Sequence, residues 1–164
     1  MKIFLLIILI PVLSASAQSK LDIKVKEAVD RLICPQPDER NPVSLNVQMV
    51  NEGDSMAIIV KARMAPGWHI YAYVPSTQPY IPIEQVLHLP ENMKAVGEWK
   101  KTEPETSSDD PGVLIYDHEA VLIQKAVKLS PIKTRGVIKA GLYYQTCNLR
   151  QCLPPKEKIF ELSQ

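Results

Sequence analysis

The chain has 164 residues, of which 46% are hydrophobic, 23% charged and 6% aromatic. Its 19 basic and 18 acidic side chains nearly cancel, so its charge does not favour nucleic acid or an acidic membrane surface as a partner. A chain of this length can bury one hydrophobic core, and we expect a single domain without internal repeats.

Residues 1–17 have the features of a secretory signal peptide. Lys2 supplies the positive charge, the apolar core runs from Ile3 to Leu13, and Ala15-Ser16-Ala17 forms a small-residue cleavage pattern before Gln18. The apolar core is too short to span a bilayer, which needs about 20 residues. No cysteine follows it to carry a lipid. We therefore expect an exported protein that does not span a membrane.

Residues 18–41 give mixed signals. Leu21, Ile23 and Val25 alternate with polar residues, as in a strand, whereas Glu27–Ile33 has the pattern of a short helix. Prolines then break the chain at positions 35, 37 and 42. We interpret this stretch as a lead-in segment of uncertain structure, followed by the main domain at residues 42–164.

The main domain begins with a predicted hairpin. Apolar residues alternate with polar ones from Val43 to Met49, and Asn51–Asp54 has the composition of a turn. The partner strand is predicted at Ser55–Met64, with the even-numbered residues from Met56 to Ala62 on one face.

The next predicted strand, Trp68–Val74, follows Ala65-Pro66-Gly67. Its period of two places Trp68 and Ile70 on one face and His69 and Tyr71 on the other. Four prolines from position 75 to position 90 then indicate irregular structure or a sheet edge.

The rest of the chain also favours short strands. We predict them at 96–99, 121–129, 137–144 and 159–162, with a long exposed loop at 100–112 and a turn at 130–135. Short strands, many prolines and no convincing long helix predict an all-β fold, a β-sandwich.

Two of the three cysteines, Cys147 and Cys152, have four residues between them. A disulfide between them closes a loop of about six residues. By restricting the unfolded chain it stabilises the fold by only about 2 kcal/mol, whereas a Cys34–Cys147 bridge would stabilise it by nearly 5 kcal/mol. The close pair is therefore better suited to redox exchange than to stabilisation. Arg150 inside the loop and Lys156 just beyond it would favour the reactive thiolate.

These segments together resemble a known family. Ala65-Pro-Gly-Trp-His-Ile-Tyr71, the strand containing Gln124, and Tyr144-Gln-Thr-Cys-Asn-Leu-Arg-Gln-Cys-Leu-Pro-Pro155 are similar to the N-terminal periplasmic domain of the thiol:disulfide interchange protein DsbD. The likeness covers about Pro42 to Leu162. It implies an immunoglobulin-like β-sandwich in the periplasm that carries electrons as a dithiol.

The resemblance also implies roles and partners. Cys147 and Cys152 would be the catalytic couple, with the His69–Tyr71 segment beside it and the second cysteine contacting the partner. Cys152 also follows a polar turn, whereas Cys147 ends an apolar strand, so exposure favours the same assignment. Family members pass electrons to thioredoxin-fold proteins of the disulfide-isomerase and cytochrome-maturation types.

The sequence departs from the family in two respects. It ends at Gln164 without the membrane and thioredoxin-like domains, so we expect a separate membrane or thioredoxin-like protein as electron donor. The family's loop that covers the active site can carry an acidic–aromatic cluster with a capping Phe, but residues 100–112 contain no aromatic residue. How the couple is shielded is thus left open.

Other interpretations remain open as well. Apart from the resemblance, His69 and Tyr71 are ordinary strand residues, and Trp68 is a core residue. Cys34 is predicted to take no part in exchange, and no residue cluster indicates a metal or another cofactor. The alternative function is a secreted, non-enzymatic immunoglobulin-like binding module with a purely structural disulfide.

Overall fold

The computed structural model describes residues 13–129 and 136–163, and of residues 13–19 it describes the backbone only. Most of the predicted signal peptide and the predicted turn at 130–135 therefore lie outside the described residues. One helix and eleven strands form within them: α1 (Leu13–Arg31), β1 (Val43–Glu52), β2 (Ser55–Met64), β3 (His69–Tyr73), β4 (Glu84–His88), β5 (Met93–Lys101), β6 (Glu105–Thr106), β7 (Leu114–Tyr116), β8 (Glu119–Lys128), β9 (Val137–Tyr144), β10 (Thr146–Cys147) and β11 (Lys156–Ser163).

The predicted hairpin is formed by β1 and β2. They pair antiparallel from Val43 opposite Met64 to Glu52 opposite Ser55. Gly53 occupies the left-handed region at φ 58°, a conformation that glycine adopts without the steric penalty of a side chain. The residue-by-residue pairing without a shift follows from this tight turn.

The strands form three antiparallel sheets around one core. Their orders are β1-β2-β8-β5, β11-β9-β4 and β10-β3-β7-β6. Alternate residues of β2, from Met56 to Ala62, pack in the same core cluster as alternate residues of β9, from Ile138 to Tyr144. Ile70 of the third sheet joins that cluster. The prediction of an all-β, immunoglobulin-like sandwich is confirmed.

The helix α1 corrects the prediction for the lead-in segment, where we expected no long helix. Among its described side chains, Leu21, Val25 and Ala28 are buried, and they pack with Leu32, which follows the helix, against Ala57 and Ile59 of β2. The spacing of four and three residues is helical, and Ile23, which suggested a strand, is 60% exposed. Strand β2 is thus buried on both faces, by the core on one side and by α1 on the other.

The proline-rich region and the loop after it are more ordered than the sequence indicated. β4 forms the edge of its sheet, which agrees with an edge position for this region. The segment predicted as a long loop begins with the last residues of β5 and contains β6. It is held in place by Tyr116, whose hydroxyl donates to the Thr102 carbonyl at 3.0 Å.

The buried Gln124 side chain explains an irregularity in β5. Its Nε2 donates to the carbonyl oxygens of Val96 and Gly97, each at 3.1 Å. The pairing of β5 with β8 shifts at this point, between Val96 and Lys100. Gln124 therefore satisfies carbonyls that the bulge removes from the ladder. In the described ranges, no helix has the length and apolar character needed to cross a bilayer.

Candidate active site

A tight turn at residues 147–152, here called the cysteine turn, connects the two ends of a disulfide. Cys147 and Cys152 are bonded, and their Cα atoms lie 4.0 Å apart. Inside the turn, the Asn148 amide donates to the Gln151 carbonyl at 2.9 Å, and just outside it Leu153 N donates to the Thr146 carbonyl at 2.9 Å. These backbone hydrogen bonds link the chain on the two sides of the disulfide and do not involve the sulfur atoms.

Asn148 strengthens the same turn through its side chain. Its Oδ1 accepts hydrogen bonds from the amides of Arg150 and Gln151 at 2.8 and 2.9 Å. An asparagine that accepts from the amides two and three residues later forms a stable local turn. The turn thus has hydrogen bonds of its own besides the disulfide.

The two cysteines differ sharply in their surroundings. Cys147 is only 1% exposed and packs with Tyr71 and Val113. Cys152 is exposed. An incoming sulfur can therefore approach Cys152 but not Cys147, in agreement with the exposure expected from the sequence.

Strand β3 places His69 directly opposite Cys147. The pairing of β10 with β3 sets Cys147 against His69 and Thr146 against Ile70. Thr146 Oγ1 donates to the His69 carbonyl at 2.9 Å and fixes this short pairing. The rings of His69 and Tyr71 meet edge to face with centroids 5.0 Å apart, so the predicted common face of these two residues is present.

Tyr80 completes an aromatic layer that the sequence analysis missed. Its ring stacks on Tyr71 with centroids 4.6 Å apart and an interplanar angle of 10°. Its hydroxyl donates to Asp110 Oδ1 at 3.3 Å. Tyr80 is the one aromatic residue between Pro75 and Pro90, and this isolated position was the signal in the sequence that could have identified it. An aromatic residue from this segment, held by Asp110 of the predicted loop at 100–112, thus packs on Tyr71 beside Cys147.

Burial sets the protonation of the site. It lowers the pKa of His69, although the carboxylates of Asp110, Asp117 and Asp109 act in the opposite direction. It also raises the pKa of Tyr71, with smaller contributions from Tyr80 and Asp110. At neutral pH the site therefore presents a neutral imidazole, able to accept a proton, and an un-ionised phenol.

Arg150 lies on a groove beside the cysteine turn. The groove has a volume of about 430 Å³ and is lined by Glu39, Arg40, Trp68, Asn148, Arg150 and Gln151. Trp68 is only 5% exposed, as expected of a core residue. The structure thus brings Cys147, Cys152, His69 and Tyr71 together and sets Arg150 at their edge.

Cys34 lies away from these elements, after α1. It is free and buried, and its Sγ donates to the Lys61 carbonyl at 3.2 Å. Burial raises the pKa of its thiol, which lowers the reactive thiolate fraction. Among the residues that the structure describes, no group of three or more His, Cys, Asp or Glu side chains could hold a metal ion.

Comparison with known proteins gives one family. The profile described as thiol:disulfide interchange protein DsbD, N-terminal, matches residues 35–164. No curated protein matches the chain.

Solved structures give similarities of low sequence identity. The reduced N-terminal domain of DsbD from Neisseria meningitidis is 23% identical with a TM-score of 0.49, over 84% of this chain and 93% of that one. A complex between the DsbD and PilB N-terminal domains of the same organism gives 18% identity and a TM-score of 0.43, over 71% and 80%. The GAE domain of yeast GGA1 gives 7% and 0.44, over 79% and 96%.

Proposed function

Because the chain belongs to the family of N-terminal domains of the thiol:disulfide interchange protein DsbD, we propose that it exchanges thiols and disulfides with a partner protein. Cys147 and Cys152 are the couple that cycles between dithiol and disulfide. The observation that carries this proposal is the pairing of one exposed and one buried sulfur in a turn held by its own hydrogen bonds.

The exchange proceeds through a mixed disulfide. In the reduced protein, the Cys152 thiolate attacks one sulfur of a partner disulfide, and the other partner sulfur leaves as a thiolate. Cys147 then attacks Cys152 Sγ, the mixed disulfide breaks, and the second partner sulfur leaves. Two electrons and two protons pass to the partner, and the reverse sequence reduces this protein.

His69 serves this exchange as a proton acceptor for Cys147. Residues directly opposite each other in an antiparallel pair have Cβ atoms about 4.5–5.5 Å apart, and the lowered pKa of His69 keeps its ring neutral. A neutral ring can take the Cys147 proton when the thiol attacks and return it when the thiolate leaves. Tyr71 packs against both residues and limits the access of water.

The partners are thioredoxin-fold proteins of the periplasm. The family is one of thiol:disulfide interchange proteins, and an exported chain works where disulfides form readily. A thioredoxin-fold protein presents its own cysteine pair at its surface, which the exposed Cys152 can reach.

A redox titration tests the proposed function. The Cys34→Ala protein, in which Cys147 and Cys152 are the remaining cysteines, is equilibrated in glutathione buffers. Its free thiols are counted after alkylation. We expect a reduction potential in the range of thioredoxin-fold proteins, about −120 to −270 mV. A potential below about −300 mV is typical of a structural bridge and would instead support a binding module with a permanent disulfide.

A further inference from the structure

Leu149, at the tip of the cysteine turn, is 84% exposed, more than any other large apolar side chain among the described residues. A single exposed leucine is ordinary on a protein surface, but the position of this one is not. It lies between the two cysteines, three residues from Cys152, and so within about 11 Å of it. A protein whose sulfur bonds to Cys152 therefore brings its own surface close to Leu149.

The groove beside the turn adds a charged border to this apolar tip. Arg40 and Arg150 line it together with Glu39, and neither arginine makes an ion pair with a described residue. The wall of the groove formed by Glu39 and Arg40 is also held by local hydrogen bonds. Asp38 Oδ1 accepts from the amides of Arg40 and Asn41 at 2.8 and 2.7 Å. Both walls are thus held in place before any partner arrives, which reduces the ordering needed on binding.

We propose that Leu149 and the groove lined by Arg40 and Arg150 form the docking surface for a thioredoxin-fold partner. Leu149 contacts the apolar surface around the partner's reactive cysteine, and the two arginines bind a partner carboxylate. The inference rests on the proposed exchange function and adds to it the surface by which the partner is selected. An apolar centre beside a charged border is the usual arrangement of a protein interface.

Leu129 offers a matched control at the opposite end of the sandwich. It is 58% exposed and follows Lys128, whose amide donates to the Asp54 carbonyl beside the β1–β2 turn. Trp68, on the groove, lies just beyond the other end of β2. The ten residues of β2 at about 3.3 Å each separate the two ends by roughly 30 Å.

The test compares two reductants of the oxidised protein. Reduced thioredoxin must dock, whereas dithiothreitol is too small to need a docking surface. We expect Leu149→Ser to lower the second-order rate constant with thioredoxin about 10-fold while the rate with dithiothreitol stays within about 2-fold. Leu129→Ser should change neither rate.

The arginines are tested by ionic strength. The rate with thioredoxin should fall as salt is raised in the parent protein, and the Arg40→Ala, Arg150→Ala double variant should lose most of that dependence. An unchanged dependence would remove the arginines from the surface.

Two results would overturn the role of Leu149: a parent-like rate of Leu149→Ser with thioredoxin, or an equal fall with both reductants, which would assign Leu149 to the conformation of the turn. If the parent protein itself reacted with neither reductant, the proposed function would be refuted, and the docking inference with it.

Discussion

At the scale of residues, the cysteine turn is defined by the contrast between its two sulfurs. Cys147 is buried among Tyr71 and Val113, and Cys152 is exposed. Because a mixed disulfide needs access from outside, the exposed sulfur should form it and the buried one should resolve it.

Trapping experiments check this assignment of roles. In a Cys34→Ala background, Cys147→Ala should accumulate a mixed disulfide with a partner that lacks its resolving cysteine, since nothing remains to displace the partner. Cys152→Ala should accumulate far less, because its remaining sulfur is buried. Non-reducing gels measure both adducts, and a stronger adduct from Cys152→Ala would reverse the roles.

His69 predicts a dependence of stability on pH. Burial lowers its pKa in the folded protein, while the unfolded chain has the ordinary value of about 6.5. Below pH 6.5 the unfolded state therefore binds more protons, so stability is full above this pH and falls as the pH drops through the folded-state pKa. His69→Gln should show a smaller loss in the free energy of unfolding than the parent between about pH 7.5 and 5.

Urea denaturation at the two pH values measures this difference. His118→Gln is the control, because it removes a histidine whose side chain is 83% exposed. An equal loss in His69→Gln and the parent would show that burial of this imidazole does not govern the pH dependence.

At the scale of elements, α1 adds a third layer to the two packed sheets by covering the outer face of β2. Its apolar side chains cover Ala57 and Ile59, which face away from the core between the sheets. The sequence contained a sign of this cover, since β2 is apolar at the odd positions 57 and 59 as well as at the even ones. An exposed sheet face would have polar residues there.

The contribution of α1 can be measured with a matched pair of variants in the same helix. Leu21 is 1% exposed and Ile23 is 60% exposed. Leu21→Ala should lower the free energy of unfolding by about 2–5 kcal/mol through lost burial and a new cavity, and Ile23→Ala should change it by about 0.5 kcal/mol or less. Denaturant unfolding gives both values, and equal small effects would mean that α1 does not pack as described.

At the scale of the whole molecule, the predicted export signal and the fold are compatible. The cleavage pattern ends at Ala17, and among the side chains of α1 that the structure describes, the first that packs on the sheet is Leu21. Removal of residues 1–17 would therefore leave all the described contacts of α1 with β2 in place.

We expect the exported protein to begin at Gln18. Sequencing of the N-terminus of protein from the cell envelope measures this. An Ala15→Leu, Ala17→Leu variant should remain unprocessed, because the cleavage pattern requires small residues. Recovery of the parent protein in the membrane fraction with Met1 retained would contradict the prediction.

Much of the β-structure could be predicted from the sequence because strand patterns are local. Alternation with a period of two identified β1, β2 and β8, an apolar run identified β9, and a glycine-containing turn fixed the first hairpin. The same period placed His69 and Tyr71 on one face. The cysteine pair with its flanking residues, the Ala65–Tyr71 segment and the strand containing Gln124 together indicated the family, since each of them is a continuous segment.

What only the tertiary structure decided depends on contacts between distant parts of the chain. The alternation of Leu21, Ile23 and Val25 is compatible with a strand or a helix, and packing against Ala57 and Ile59 selects the helix. The stacking of Tyr80 on Tyr71 joins a proline-broken segment to β3. Local sequence determines the direction in which a side chain points, but the residues that cover it come from elsewhere, and burial by those residues sets the exposure of Cys147 and lowers the pKa of His69.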